Sequence, residues 1–68
     1  MANRLYETRV LQRISQYVLA LKTGIPQPRI SIIQNSLVTP REDEKNKIAK
    51  ALGVKAEDIF PQEVSNDQ

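Results

Sequence analysis

The stretch SQYVLALKTGIPQPRISIIQN, residues 15–35, decides the fold. Ser15 is a natural helix N-cap, because its hydroxyl accepts from an amide that has no intrahelical partner. A helix is therefore predicted from Gln16 to about Thr23. Gly24 stops it, where a left-handed backbone is needed. Pro26-Gln27-Pro28 is compatible with a new helix start, since first-turn amides lack intrahelical partners anyway. A third helix is predicted from Gln27 to about Asn35, with Ile30 and Ile33 on one face and Ile25 nearby. The run Ile30-Ser31-Ile32-Ile33 is too short to stand as a strand and fits the helical frame better. Two helices joined through a tight glycine corner, with Ala20 allowing close approach, match the helix-turn-helix pattern. Spacing alone leaves any small helical bundle open.

Outward from this unit, Asn3 to about Gln12 reads as a first helix carrying Leu5 and Thr8 on one face. Thr39-Pro40-Arg41-Glu42 reads as the start of a fourth, with Thr39 as cap, Pro40 at the first helical position and Glu42 closing a capping box. That helix runs to Leu52, stacking Ile48 on Leu52 over Ala49 and Ala51. Gly53 ends it, and Val54 supplies the apolar contact that follows such a stop. Lys55 to Phe60 forms a short last helix before Pro61. One domain is expected over 1–60, followed by a polar tail, 61–68, expected to fray.

The chain has 68 residues, 40% hydrophobic and 26% charged, which describes a globular domain with a thin core. It contains no Cys and no His. Disulfides, thiolate chemistry, the usual zinc ligands and the commonest general base are thereby excluded, so neither cofactor nor metal is expected. The carboxylates Glu42, Asp43 and Glu44 gather at a helix start, where negative charge is favourable for helical reasons alone. No enzymatic role is expected. No apolar run approaches the roughly 20 residues of a membrane span, and the first residues lack a signal peptide's apolar stretch. A reducing cytoplasm fits a small domain without disulfide staples. Residues 1–41 hold six basic side chains against one acidic, and residues 42–68 hold four against seven. A basic front with an acidic back suits a domain that presents one face to a polyanion.

Ser15-Gln16, Leu19-Ala20, Thr23-Gly24-Ile25, Ile30-Ser31 and Ile33-Gln34-Asn35 together resemble the Cro/repressor-type helix-turn-helix family, also called the xenobiotic-response-element family. The resemblance continues through Pro40 and the segment Lys47 to Val54 to Ile59-Phe60, covering roughly residues 3–60. It implies an all-α, compact five-helix, lambda-repressor-like DNA-binding domain, with the helix-turn-helix at helices two and three. Helix three would enter the major groove of double-stranded DNA while helix two crosses the backbone. Gln16 resembles the family glutamine that binds a phosphate and braces the recognition helix. Gln27 matches a position that commonly reads base edges, and glutamine can pair with adenine through two hydrogen bonds. Arg29 suits guanine or a phosphate, and the sequence does not choose between them. Pro28 and Ile32 offer only apolar contact with thymine methyls. Ser31 also falls on the outward face. Arg13 and Arg41 belong to the pool of backbone-contacting cations, with Arg4, Arg9 and Lys22.

Several positions depart from the family pattern. An arginine at the place of Arg9 commonly pairs with a glutamate, and here Gln34 stands in its place, leaving a charge–amide hydrogen bond. Pro26 replaces the usual Ser or Thr cap. Ser36 stands where glycine is frequent, so Asn35 or Ser36 must take the left-handed exit. Glu42 and Lys45 occupy sites that are often apolar.

The function expected is sequence-specific DNA binding by a small prokaryotic or phage-type repressor, nucleoid-associated, acting by operator occupancy. Family members usually bind inverted repeats as homodimers. Helix five, the loop before helix four and the tail are the segments available for that contact. Tyr17, Val18, Leu21, Leu11 and Leu37 lack a core assignment and leave room for a protein partner. The alternatives are the antitoxin subunit of a toxin–antitoxin pair and a protein–protein adaptor that keeps the fold without reading DNA.

Overall fold

A computed structural model describes residues 3–61. The described residues form five helices and no strand: α1 Leu5–Gln12, α2 Gln16–Thr23, α3 Gln27–Gln34, α4 Glu42–Leu52 and α5 Ala56–Ile59. The tail expected to fray lies, from Gln62 onward, outside the described residues.

The helices start where their caps dictate. Asn3 does not join α1. Its Oδ1 accepts from the Leu5 amide at 3.0 Å, and its Nδ2 donates to the Ile33 carbonyl at 2.8 Å, tying the entry of α1 to the end of α3. The Ser15 hydroxyl accepts from the Val18 amide at 3.1 Å, as the sequence predicts. Pro26 precedes α3 without any side-chain cap. The Ile25 amide instead finds the Thr23 hydroxyl at 3.2 Å.

The start of α4 differs from the sequence reading. Arg41, in extended conformation, is the N-cap, and its amide donates to Glu44 Oε1 at 2.8 Å. Neither Thr39 nor Glu42 closes the box. Glu44 faces inward, one turn before Ile48, where a second partner from α3 also claims it, and that draws the cap to Arg41.

Three of the five helices end in one way. After α4, the Gly53 amide donates to the Lys50 carbonyl and the Val54 amide to the Ala49 carbonyl, with Gly53 at φ +69°. This is the paired-carbonyl stop in which a left-handed residue satisfies two orphan acceptors. The same two bonds recur after α1 around Arg13 at φ +58° and after α3 around Ser36 at φ +62°. Ser36 thus takes the left-handed exit that the sequence left open between it and Asn35. Side chains other than glycine pay about 1–2 kcal/mol for that conformation.

The core is Leu5, Leu19, Ile25, Ile30, Ile33, Ile48, Leu52, Ile59 and Phe60. Fully burying each such side chain stabilises by roughly 1.5–3 kcal/mol. Helix α2 packs on α3 and α4, and α4 also contacts α1 and α5. Ile14, Ala20, Val38, Ala51 and Val54 close the core's margins. Lys45 buries its aliphatic stem and sets its ammonium 2.8 Å from Glu42. Two polar links tie the two ends of α1 to α5 and α4: the Arg4 amide donates to the Ile59 carbonyl, and Gln12 Nε2 donates to the Leu52 carbonyl.

Ser36→Gly removes left-handed strain without touching the core. It is expected to raise the melting temperature by about 4–8 °C, the shift that about 1 kcal/mol gives in a domain of this size. Gly53→Ala, where an added Cβ meets nothing within 4 Å and only the backbone conformation resists, is expected to lower it comparably. Circular-dichroism melts read both.

Candidate nucleic-acid interface

Because Ile30 and Ile33 are fully buried, the rotation of α3 about its axis is fixed. Gln27 and Pro28 are left exposed, and Ser31 and Ile32 half-buried, along the opposite side. Gln16, the first residue of α2, meets this face: Gln16, Gln27, Pro28 and Ser31 line one open depression of about 300 Å³. Four of the eight residues expected to contact DNA are thus brought together from two helices. The depression lies at the amino-terminal ends of both, where free amides and the macrodipole favour an anion.

Arg13 is exposed at the corner between α1 and α2, close in sequence to the α2 amino terminus. Arg41 is exposed at the cap of α4, its Nε 3.3 Å from Asp43 and its Nη2 3.7 Å from Glu44. Arg9 is removed from the surface pool. Its Nε and Nη2 donate to Gln34 Oε1 at 3.0 and 2.8 Å, its Nη1 donates to the Ile14 carbonyl at 2.9 Å, and its guanidinium lies over the Tyr6 ring. The charge–amide bond anticipated between Arg9 and Gln34 is present, and it staples α1 to the end of α3.

Arg29, a candidate for guanine or a phosphate, is paired within the fold. Its Nε donates to Glu44 Oε2 and its Nη2 to Glu44 Oε1, both at 2.9 Å. The Glu44 side chain is 4% exposed and that of Arg29 30%. A carboxylate buried that deeply must keep a cation and hydrogen-bond donors, and it draws the guanidinium back onto α4. The pairing pushes Arg29 further above its ordinary range. The Glu44 carboxyl falls to about 2: the Arg29 hydrogen bond lowers it most, burial opposes, and the Arg41 amide and the two guanidinium charges add to the lowering.

Glu44 is the residue that the sequence reading missed, taking it only as one of three acids at a helix start. The missing signal was periodicity. Glu44, Ile48 and Leu52 are four apart on one stripe, so Glu44 belongs to the buried face. An acid there demands a basic partner.

The sign of the resulting pH effect follows from the lowered value. A carboxyl at about 2 in the folded chain, against an ordinary 4.5, stabilises fully above about pH 4.5, and that contribution is lost as pH falls toward 2. The gap in melting temperature between the native chain and Glu44→Gln is expected to be widest near neutrality and to close between pH 4.5 and 2. A constant gap across that range would show that the carboxylate charge is not what stabilises.

Among known proteins, the chain is 40% identical over 60 residues to an uncharacterized HTH-type transcriptional regulator of Methanocaldococcus jannaschii, a match spanning 88% of this chain and 91% of that protein. No family model matches the chain, and no solved structure matches it. No helix among the described residues is long and apolar enough to cross a membrane. With two helices packed through a glycine corner, and a relative of this identity along nearly its whole length, the chain belongs to the HTH-type transcriptional regulators.

Proposed function

We propose that the chain is a sequence-specific, double-stranded-DNA-binding repressor of the Cro/repressor type, acting by operator occupancy in the cytoplasm. The observation that carries this reading is the convergence of Gln16, Gln27, Pro28 and Ser31 from two helix amino termini on one open face. In this reading α3 lies in the major groove. Gln27 and Ser31 hydrogen-bond base edges, and Pro28 and Ile32 contact thymine methyls. Gln16, with the α2 amino terminus behind it, holds a phosphate, and Arg13 and Arg41 hold others on either side. Two copies would read an inverted repeat with half-site centres about 34 Å apart. Leu37, 71% exposed in the loop before α4, supports that loop as part of the homodimer contact.

A second reading, an antitoxin-type subunit that also holds a protein partner, draws on the exposed Leu11, Tyr17 and Leu21. An adaptor that never reads DNA would be indifferent to substitution at Gln16 and Gln27.

Selection of bound duplexes from a random library separates the DNA-reading forms from the adaptor and tests the residue roles. The native chain is expected to enrich an inverted repeat. Gln27→Ala is expected to change the preferred base at one position in each half-site. Arg13→Ala is expected to weaken all duplexes about equally and to flatten the dependence of log affinity on log salt by about 0.9. Equal, sequence-independent losses from both variants would overturn the division between base and backbone contacts.

A further inference from the structure

The recognition helix carries one cation, Arg29, and the fold holds it away from the open face. We infer that Glu44 is a specificity-determining residue: by clamping Arg29 against α4 it withholds an arginine from the DNA and leaves the reading of bases to uncharged side chains. This rests on the proposal that α3 reads DNA and deepens it.

The geometry supplies the reason. Arginine recognises guanine by two parallel N–H bonds to O6 and N7, and it holds a phosphate through the same fork. In this chain the Nε and Nη2 edge is already filled by the two Glu44 oxygens at 2.9 Å each. The carboxylate also cancels the charge that would attract a phosphate. The clamp is anchored on its far side as well, because Glu44 Oε1 accepts the Arg41 amide at 2.8 Å and so belongs to the cap of α4. Glu44 cannot follow Arg29 outward without breaking that cap. If Arg29 left alone, a carboxylate whose side chain is 4% exposed would lose its bidentate partner, which is strongly unfavourable. The DNA would have to outbid an interaction already made in the free protein.

What then remains along α3 is Gln27, Pro28, Ser31 and Ile32. Their chemistry is that of adenine and thymine: a bidentate amide for adenine N6 and N7, and apolar surface for the thymine methyl. Half-sites under α3 are therefore rich in A·T pairs, with no guanine specified by arginine.

The test uses the full chain and four proteins: native, Arg29→Met, Glu44→Gln and the double variant. Gln at 44 keeps an oxygen for the Arg41 amide and so retains the cap while removing the charge. Melting curves establish that each protein is folded at the assay temperature. Each then selects duplexes from a random library, and affinities for the enriched site are measured across salt. The native chain and Arg29→Met are expected to enrich the same A·T-rich half-site. Glu44→Gln, which removes the charge of the clamp and one of its two acceptor oxygens, is expected either to gain a guanine preference of roughly fivefold or more at one position or to steepen the salt dependence by about 0.9 through a new phosphate contact. The double variant is expected to return to the native pattern, which loss of structure at α4 would not do. A native site containing a guanine whose preference disappears in Arg29→Met would overturn the inference, as would a Glu44→Gln chain indistinguishable from native in both readouts. Should either single variant not fold, the comparison of native with the double variant, which removes both charges together, decides by itself: an unchanged half-site is expected, and loss of a guanine from it would overturn the inference. Absence of any enrichment by the folded native chain at low salt would overturn the DNA-reading proposal, and this inference with it. Sequence enrichment with the wrong Arg29 dependence would overturn this inference alone.

Discussion

The burial of Ile30 and Ile33 beside Leu19 is the constraint on which the rest of the structure depends. All three side chains are fully enclosed, so α3 is held against α2 in one rotational setting. A turn of α3 by one residue, about 100°, would put a polar side chain into the core and an isoleucine into water, at a cost of several kcal/mol. With the rotation fixed, the identity of the open face is fixed too. Gln27 and Pro28 stand out, Ser31 and Ile32 flank them, and the α2 amino terminus with Gln16 closes one side. The candidate interface is thus the outward consequence of the apolar core.

Polar stapling completes what a core of nine apolar side chains begins. The end of α3 is held by Asn3 and by Arg9 through Gln34, and α3's only arginine is held by Glu44. Each contact spans a large sequence separation and reaches α3 from α1, its approach or α4. A chain this short cannot bury enough surface to immobilise every helix by packing alone. The buried polar groups compensate by being directional, and they converge on the helix whose position matters most.

Much of this was legible from local signals. The Ser15 cap, the Gly24 corner and the Gly53 stop each act within a few residues, and α2 lies where those signals put it. The Arg9–Gln34 bond was legible only through family resemblance, since nothing near Arg9 in sequence names a residue 25 positions away. Long-range pairing is also why the start of α4 was misplaced. Thr39-Pro40 is a good local helix start, but Glu44 is claimed by Arg29 from 15 residues upstream, and the cap follows Glu44. The same pairing hid the state of Arg29, which in sequence looks like an ordinary DNA-facing cation. Left-handed Arg13 escaped notice because no glycine or asparagine marks it.

The central claim, that the open face of α3 with the start of α2 meets the duplex, is tested most directly by mapping backbone amide shifts of the isotope-labelled chain on titration with a short duplex at low salt. The account predicts that the largest changes cluster at Gln16, Gln27, Ser31 and Ile32, with smaller ones at Arg13 and Arg41. Changes concentrated instead between α1 and α5, around Leu11, Val54 and Glu57, which line a separate depression, with α3 unmoved, would contradict it.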